Sequence, residues 1–127
     1  MRKSEPRPTI LIAEDNNEMA QALVRLLESE GFSTKVARNG GGIFDLLKKG
    51  IPGLILLDIL MPGVDGAETL LKIKSQAKTK DIPVLICTGL DDMNHVEKFF
   101  NWGAAGYVIK PFDNDRVMQK IRAILGA

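Results

Sequence analysis

The chain has 127 residues, 45% hydrophobic and 26% charged, with a net charge of +1. That length bounds it to one domain, able to bury about two-thirds of its unfolded surface. The charge excludes any global attraction to nucleic acid or anionic membrane. No apolar run approaches the ~18 residues of a membrane helix, and the single Cys87 excludes an internal disulfide.

Residues 1–8 are basic, carry two prolines and read as a flexible arm. No signal-peptide pattern opens the chain, and a lone cysteine fits a reducing, cytoplasmic compartment. The folded unit is expected over residues 9–125.

Residues 9–13 (T-I-L-I-A) make a β-branched, apolar strand that ends on Glu14-Asp15. Asn16-Asn17 can cap the following helix, which runs to about residue 30. Met19, Ala22, Leu23, Leu26 and Leu27 recur there at helical spacing as one buried stripe. Gly31 stops that helix. Residues 33–37 form a more polar strand, expected at a sheet edge. The second helix covers residues 41–49, with Ile43, Leu46 and Leu47 inward. Gly40-Gly41-Gly42 is poor helix material at about 1 kcal/mol per glycine relative to alanine, so its first turn is predicted to fray.

Leu54, Ile55, Leu56 and Leu57 form an apolar run that reads as a strand buried on both faces. It ends on Asp58. Met61, the Pro62-Gly63 turn and Asp65-Gly66 follow. An aspartate there is either a helix cap, a solvated loop acid, or part of a site outside the strand ends. Asp65 and Glu68 have capping-box spacing, so a third helix runs from there to about Ala77. Lys72, Lys74, Lys78 and Lys80 decorate it, as a solvated face or a docking patch.

Residues 83–88 (P-V-L-I-C-T) are the fourth strand, broken by Gly89. Asp91 or Asp92 can cap a fourth helix with Val96, Phe99 and Phe100 inward. Gly103 and Gly106 end it and open a short strand at 107–109. Lys110-Pro111 follows. Asp113 caps a last helix, with Val117, Ile121, Ile124 and Leu125 inward.

Five βα units with right-handed crossovers put helices on both faces of a parallel sheet. The expected fold is doubly wound α/β, five-stranded, with the flavodoxin-like order 2-1-3-4-5. That order makes the first and third strands neighbours, so Glu14, Asp15 and Asp58 converge. Three carboxylates repel unless a cation or protons intervene. A hard divalent ion answers this, and Mg²⁺ suits one or two carboxylates plus waters. Thr88 and Lys110 end strands at the same rim. Acids with metal, a hydroxyl and a lysine make a site for phosphoryl transfer to a carboxylate.

These residues carry a family resemblance. I-L-I-A-E-D-N, L-L-D-I-L-M-P-G-V-D-G, the Thr88-Gly89 pair and Y-V-I-K-P-F stand in order, each at the end of its own strand. Over residues 9–125 the chain resembles the receiver domain of two-component response regulators, chemotaxis regulators among them. The resemblance implies that Asp58 accepts a phosphoryl group from a sensor histidine kinase or a histidine phosphotransfer protein. It implies Mg²⁺ held by Glu14, Asp15, Asp58 and the backbone carbonyl of Leu60. Thr88 and Lys110 would each contact a phosphoryl oxygen, and Tyr107 would be the rotating aromatic of the switch. Such a domain is a signalling module that catalyses its own phosphorylation and slow dephosphorylation. The family often has aspartate where Glu14 stands, and the longer side chain can reach the metal through water.

The resemblance further implies a cis peptide at Lys110-Pro111, an isomer that is accessible before proline at about 0.5–1 kcal/mol. Positions two beyond the phosphoacceptor and two beyond the threonine influence hydrolysis in the family. Here they are Leu60 and Leu90, both apolar, which predicts slow dephosphorylation, hastened by Leu90→Glu. The face around His95, Trp102, Tyr107 and Met118 is expected to dock an output partner or a second copy of the chain.

Plainer readings stand beside these. Cys87 is core filler in a buried strand. His95 is a surface histidine, Met61 packs, and Trp102 either packs at the helix end or joins a partner surface. Fold alone does not set function. An FMN carrier would suffer repulsion between Glu14-Asp15 and the phosphate. A P-loop nucleotidase lacks G-x-x-x-x-G-K-[ST]. A haloacid-dehalogenase-type phosphatase wants an acid where Leu60 stands. A constitutive interaction module, independent of phosphorylation, is the remaining alternative. No DNA-binding segment is apparent, so direct nucleic-acid contact is not expected. The chain reads equally as a stand-alone receiver or as a fragment of a longer regulator, and neither its kinase nor its output is named by the sequence.

Overall fold

Five short segments build one parallel sheet in the computed structural model, which describes residues 8–59, 61, 65–89 and 96–126. The strands are β1 (Thr9–Ala13), β2 (Ser33–Ala37), β3 (Leu54–Asp58), β4 (Val84–Thr88) and β5 (Gly106–Ile109). Their order is β2-β1-β3-β4-β5, as expected from five βα units. β3 and β4 are buried at every position, which is why they read as unbroken apolar runs rather than alternating ones. The polar β2 lies at one edge and β5 at the other.

Parallel strands need crossovers, and helices supply them. These are α1 (Asn17–Ser29), α2 (Gly40–Lys49), α3 (Gly66–Ser75), α4 (Val96–Asn101) and α5 (Asn114–Leu125). Alternate strand residues feed two separate cores, because successive side chains point to opposite faces. Leu11, Ile55, Leu57 and Ile86 pack with Ile43 and Leu47 of α2, Leu70 and Ile73 of α3, and Phe99 of α4. Ile10, Ile12, Leu56 and Leu85 pack with Leu23 and Leu27 of α1 and Val117, Met118 and Ile121 of α5. No helix among the described residues is long and apolar enough to cross a membrane.

Local chemistry explains the helix ends. Asn16 accepts from the Met19 amide and caps α1. At the other end the Gly31 amide donates to Glu28 O and the Phe32 amide to Leu27 O, with Gly31 at φ 93°. This is a Schellman closure, completed by Phe32 and Leu27 sharing one core. Asn39 accepts from the Gly42 amide, so the glycine-rich first turn of α2 is closed through a cap that the sequence reading did not assign. Asp65 accepts from the Ala67 and Glu68 amides and caps α3. The buried Thr79 hydroxyl donates to Ile73 O and ends α3 at Ser75, short of the predicted Ala77.

Three core assignments change. Ala20, not Ala22, joins Leu23 and Leu27 in the α1 stripe, because Ala22 falls on the solvent side of the turn. Phe100 is 45% exposed, since the rotation of one residue carries it away from the core that Phe99 enters. Met118 is 4% exposed and sits inside the second core beside Val117. Its side chain therefore cannot belong to the docking face expected of it. Residues 1–7 of the expected arm, the helix caps proposed at Asp91 or Asp92, Leu60, Leu90 and His95 lie outside the described residues.

Candidate functional site

Strand register brings the predicted residues to one rim. Ala13 pairs with Leu57, so Glu14 and Asp58 follow each other across β1 and β3. Asp58 pairs with Cys87, and Thr88 pairs with Ile109, so Thr88 and Lys110 end the next two strands beside it. The Lys110 amide donates to Thr88 O at 2.8 Å and ties these ends together. The Lys110-Pro111 peptide is cis, as expected.

The side chains meet as well. Lys110 Nζ donates to Asp58 Oδ2 at 2.6 Å and lies 3.3 Å from Glu14 Oε1. Asp58 and Glu14 are each only 2% exposed. Carboxylate oxygens of Glu14, Asp15 and Asp58 lie within 4.8 Å of one another. Asp15 is exposed, so the cluster opens to solvent on one side. The Asn16 amide donates to Glu14 Oε2 at 3.2 Å. Oε1, although buried and near Lys110, has no hydrogen bond of acceptable geometry. The Thr88 hydroxyl is buried and donates to Gly89 O at 3.2 Å.

Electrostatics follow from this crowding. Burial, foremost, raises the Glu14 carboxyl above its usual range; the Asn16 amide opposes this and the neighbouring Asp58 reinforces it. Burial alone would depress Lys110, but Asp58 and Glu14 outweigh it and hold the ammonium above its ordinary value. Burial, with Asp58 next, pushes the Cys87 thiol far up, so it stays a neutral core group. A buried carboxylate oxygen without a hydrogen bond, among three acids with one ammonium, is the donor set a small hard cation fits.

Tyr107 of β5 is half-buried on the α4 side of the sheet. Its ring meets the edge of Phe100 at 6.1 Å and carries Lys120 Nζ at 5.2 Å. The sequence places Phe100 in the core, and nothing local links Lys120 to β5. Trp102 packs edge-on against Phe99 at 6.0 Å, at the helix end. Ile86, Phe99, Phe100 and Tyr107 pack together there and leave no space for a water molecule between them.

Residues 10–122 match the response regulator receiver domain family. The chain belongs to it. Among curated relatives, this receiver is 36% identical over 117 residues to the uncharacterized transcriptional regulatory protein YkoG of Bacillus subtilis strain 168, covering 91% of the chain and 50% of that protein. It is 33% identical to RpaA of Synechocystis, a DNA-binding dual master transcriptional regulator, covering 93% and 49%. The receiver thus spans about half the length of such relatives. Among solved structures, the signal receiver domain of a histidine kinase from Syntrophus aciditrophicus superimposes with a TM-score of 0.86 at 32% identity, covering 94% and 91%. The chain is a receiver domain of two-component signalling, and its fold is that of its relatives.

Proposed function

We propose that Asp58 accepts a phosphoryl group from the phosphohistidine of a sensor kinase or a histidine phosphotransfer protein. The observation that carries this is the buried Asp58 carboxylate at a strand end, 2.6 Å from the Lys110 ammonium. An Asp58 oxygen attacks phosphorus and the P–N bond breaks. Its electron pair leaves with the imidazole nitrogen, and a proton on the ring's other nitrogen lets the donor depart neutral. Lys110 would offset charge on a phosphoryl oxygen, and the Thr88 hydroxyl, at the end of the adjacent strand, would turn toward another.

Glu14, Asp15 and Asp58 are the side chains that would hold Mg²⁺, with the carbonyl of Leu60 as a further ligand outside the described residues. When bound, Mg²⁺ supplies positive charge that offsets the phosphoryl oxygens. The receiver unit is taken as residues 9–125, and Tyr107 is its switch. The contacts of its ring with Phe100 and Lys120 support that role, because any turn of the ring changes this face. The surface around Trp102, Phe100 and Tyr107 is the output face, for a partner or a second copy of the chain.

Incubation with acetyl phosphate and Mg²⁺, followed by mass spectrometric mapping, tests the reading. The adduct is expected on Asp58. Equal labelling of Asp58→Asn overturns it.

A further inference from the structure

A second surface lies on the α2–α3 side of the sheet and takes no part in the chemistry above. α2 and α3 are neighbours: Lys72 Nζ stands 5.6 Å over the Phe44 ring, within cation–π range. A cleft between them is lined by Phe44, Leu47, Gln76 and three lysines, Lys48, Lys72 and Lys78. No acidic side chain lines it among the described residues. A second cleft adjoins it, sharing Phe44 and Lys72, and contains Gly41, Asp65 and Glu68. The two form one groove with an acidic end and a basic end.

The simplest account of these lysines is compensation of helix dipoles, since Lys48 and Lys72 lie in last turns. Each helix C-terminus carries only about half a negative charge. Two such ends offset roughly one lysine of three, so the basic end keeps a net positive charge. All three lysines are exposed, and Lys72 is steered over the cleft by Phe44.

The floor of the groove is apolar, through Phe44 and Leu47. A free phosphate or nucleic-acid backbone would leave that apolar surface unused. Anion sites for phosphate are also built at helix N-termini, whereas these lysines crowd two C-termini. A helix matches both ends of the groove at once. Its N-terminal half-charge suits Asp65 and Glu68, and its C-terminal end suits the lysines. From Gly41 to Lys48 the groove runs along about two turns of α2, or roughly 11 Å.

We infer that the α2–α3 groove docks an amphipathic helix of a partner protein, apolar face down, with carboxylates in its C-terminal turns against Lys48, Lys72 and Lys78. This docking does not depend on phosphorylation of Asp58. It gives the receiver a contact surface separate from both the phosphorylation rim and the Tyr107 face.

The probe is a synthetic amphipathic peptide of about 16 residues, long enough for partial helicity, with glutamates in its last two turns. Its control has the same composition with the glutamates in the first two turns. That control is the better isolated helix, so helicity alone cannot favour the first peptide. Titration into the ¹⁵N-labelled chain is expected to shift amides at 41–48 and 68–79. Lys48→Glu with Lys78→Glu should weaken binding by about tenfold, and Lys98→Glu on α4 should leave it unchanged. Both altered lysines are exposed, so the variant keeps its fold, as its own spectrum will show. Equal binding of the control peptide, no loss in the charge-reversed variant, or shifts confined to the Tyr107 face overturns the inference. Tighter binding of inorganic pyrophosphate at the same amides also overturns it, making the cleft a small-anion site.

Discussion

Lys110 Nζ sits 2.6 Å from Asp58 Oδ2, across 52 residues of sequence, and 3.3 Å from Glu14 Oε1. One ammonium therefore serves two buried carboxylates. Lys110→Ala removes the ammonium that both carboxylates face. The expected loss is about 1.5–3 kcal/mol at neutral pH, the contribution of a hydrogen bond to a charged group. Urea denaturation in metal-free buffer reads it. An unchanged midpoint would mean that water solvates the acids well enough without the lysine.

Glu14 gives the opposite sign. Its carboxyl is raised in the folded state, first by burial, so the folded chain holds a proton that the unfolded chain releases. Stability from this group is complete below the ordinary carboxylate value and falls as pH rises through the folded value. Glu14→Gln is expected to stabilise the metal-free protein at pH 7, with the gain vanishing in acid. The same change should reduce the rise in Tm that Mg²⁺ produces by binding the folded state. A variant less stable at pH 7, or one with an undiminished Mg²⁺ response, refutes this.

The Tyr107 switch has a spectroscopic consequence. Beryllofluoride with Mg²⁺ mimics the phosphoryl group. Amide shifts are expected at Tyr107, Phe100 and Lys120, whose side chains touch in the unphosphorylated chain. Trp102, half-buried against Phe99, should report through fluorescence. Shifts limited to Asp58 and Thr88 would route the signal elsewhere.

Two glycines separate close approach from conformational freedom. A Cβ at Gly66 would stand 2.6 Å from Ile59 Cβ and 2.7 Å from Ile59 Cα, so the first turn of α3 must shift off the chain that follows Asp58. Gly66→Ala is expected to destabilise by about 1–3 kcal/mol. Gly50 has nothing within 4 Å and an extended backbone at φ 173°. Gly50→Ala should stabilise by about 0.4–1 kcal/mol, through the unfolded chain. Thermal melts of both variants decide the pair, and equal effects would refute it.

Lys74 closes the α3–β4 turn, its ammonium donating to Lys80 O at 3.0 Å and Ile82 O at 2.5 Å. Burial lowers its proton affinity, with Asp81 opposing. The folded chain therefore sheds this proton before the unfolded chain does. Stability from Lys74 rises with pH below the ordinary lysine value. Lys74→Met is expected to lose the bonds to both carbonyls, and its deficit against the wild type should widen from pH 7 toward pH 10. A constant or shrinking deficit refutes the sign.

Much of the receiver was determined by sequence alone. Buried parallel strands are local apolar runs, so β1, β3 and β4 were legible together with the residue ending each. Strand order followed from five βα units, and order made Glu14, Asp15, Asp58, Thr88 and Lys110 neighbours. Helix faces were less legible, because one residue turns a side chain by about 100° and only the helix's seat on the sheet sets the zero. Phe100 went outward, Met118 inward, and Ala20 replaced Ala22 for that reason. The Phe100–Tyr107–Lys120 contact and the groove between α2 and α3 belong to tertiary structure alone. Each joins side chains from elements that meet only when helices pack on the sheet, and no spacing along the chain encodes that meeting.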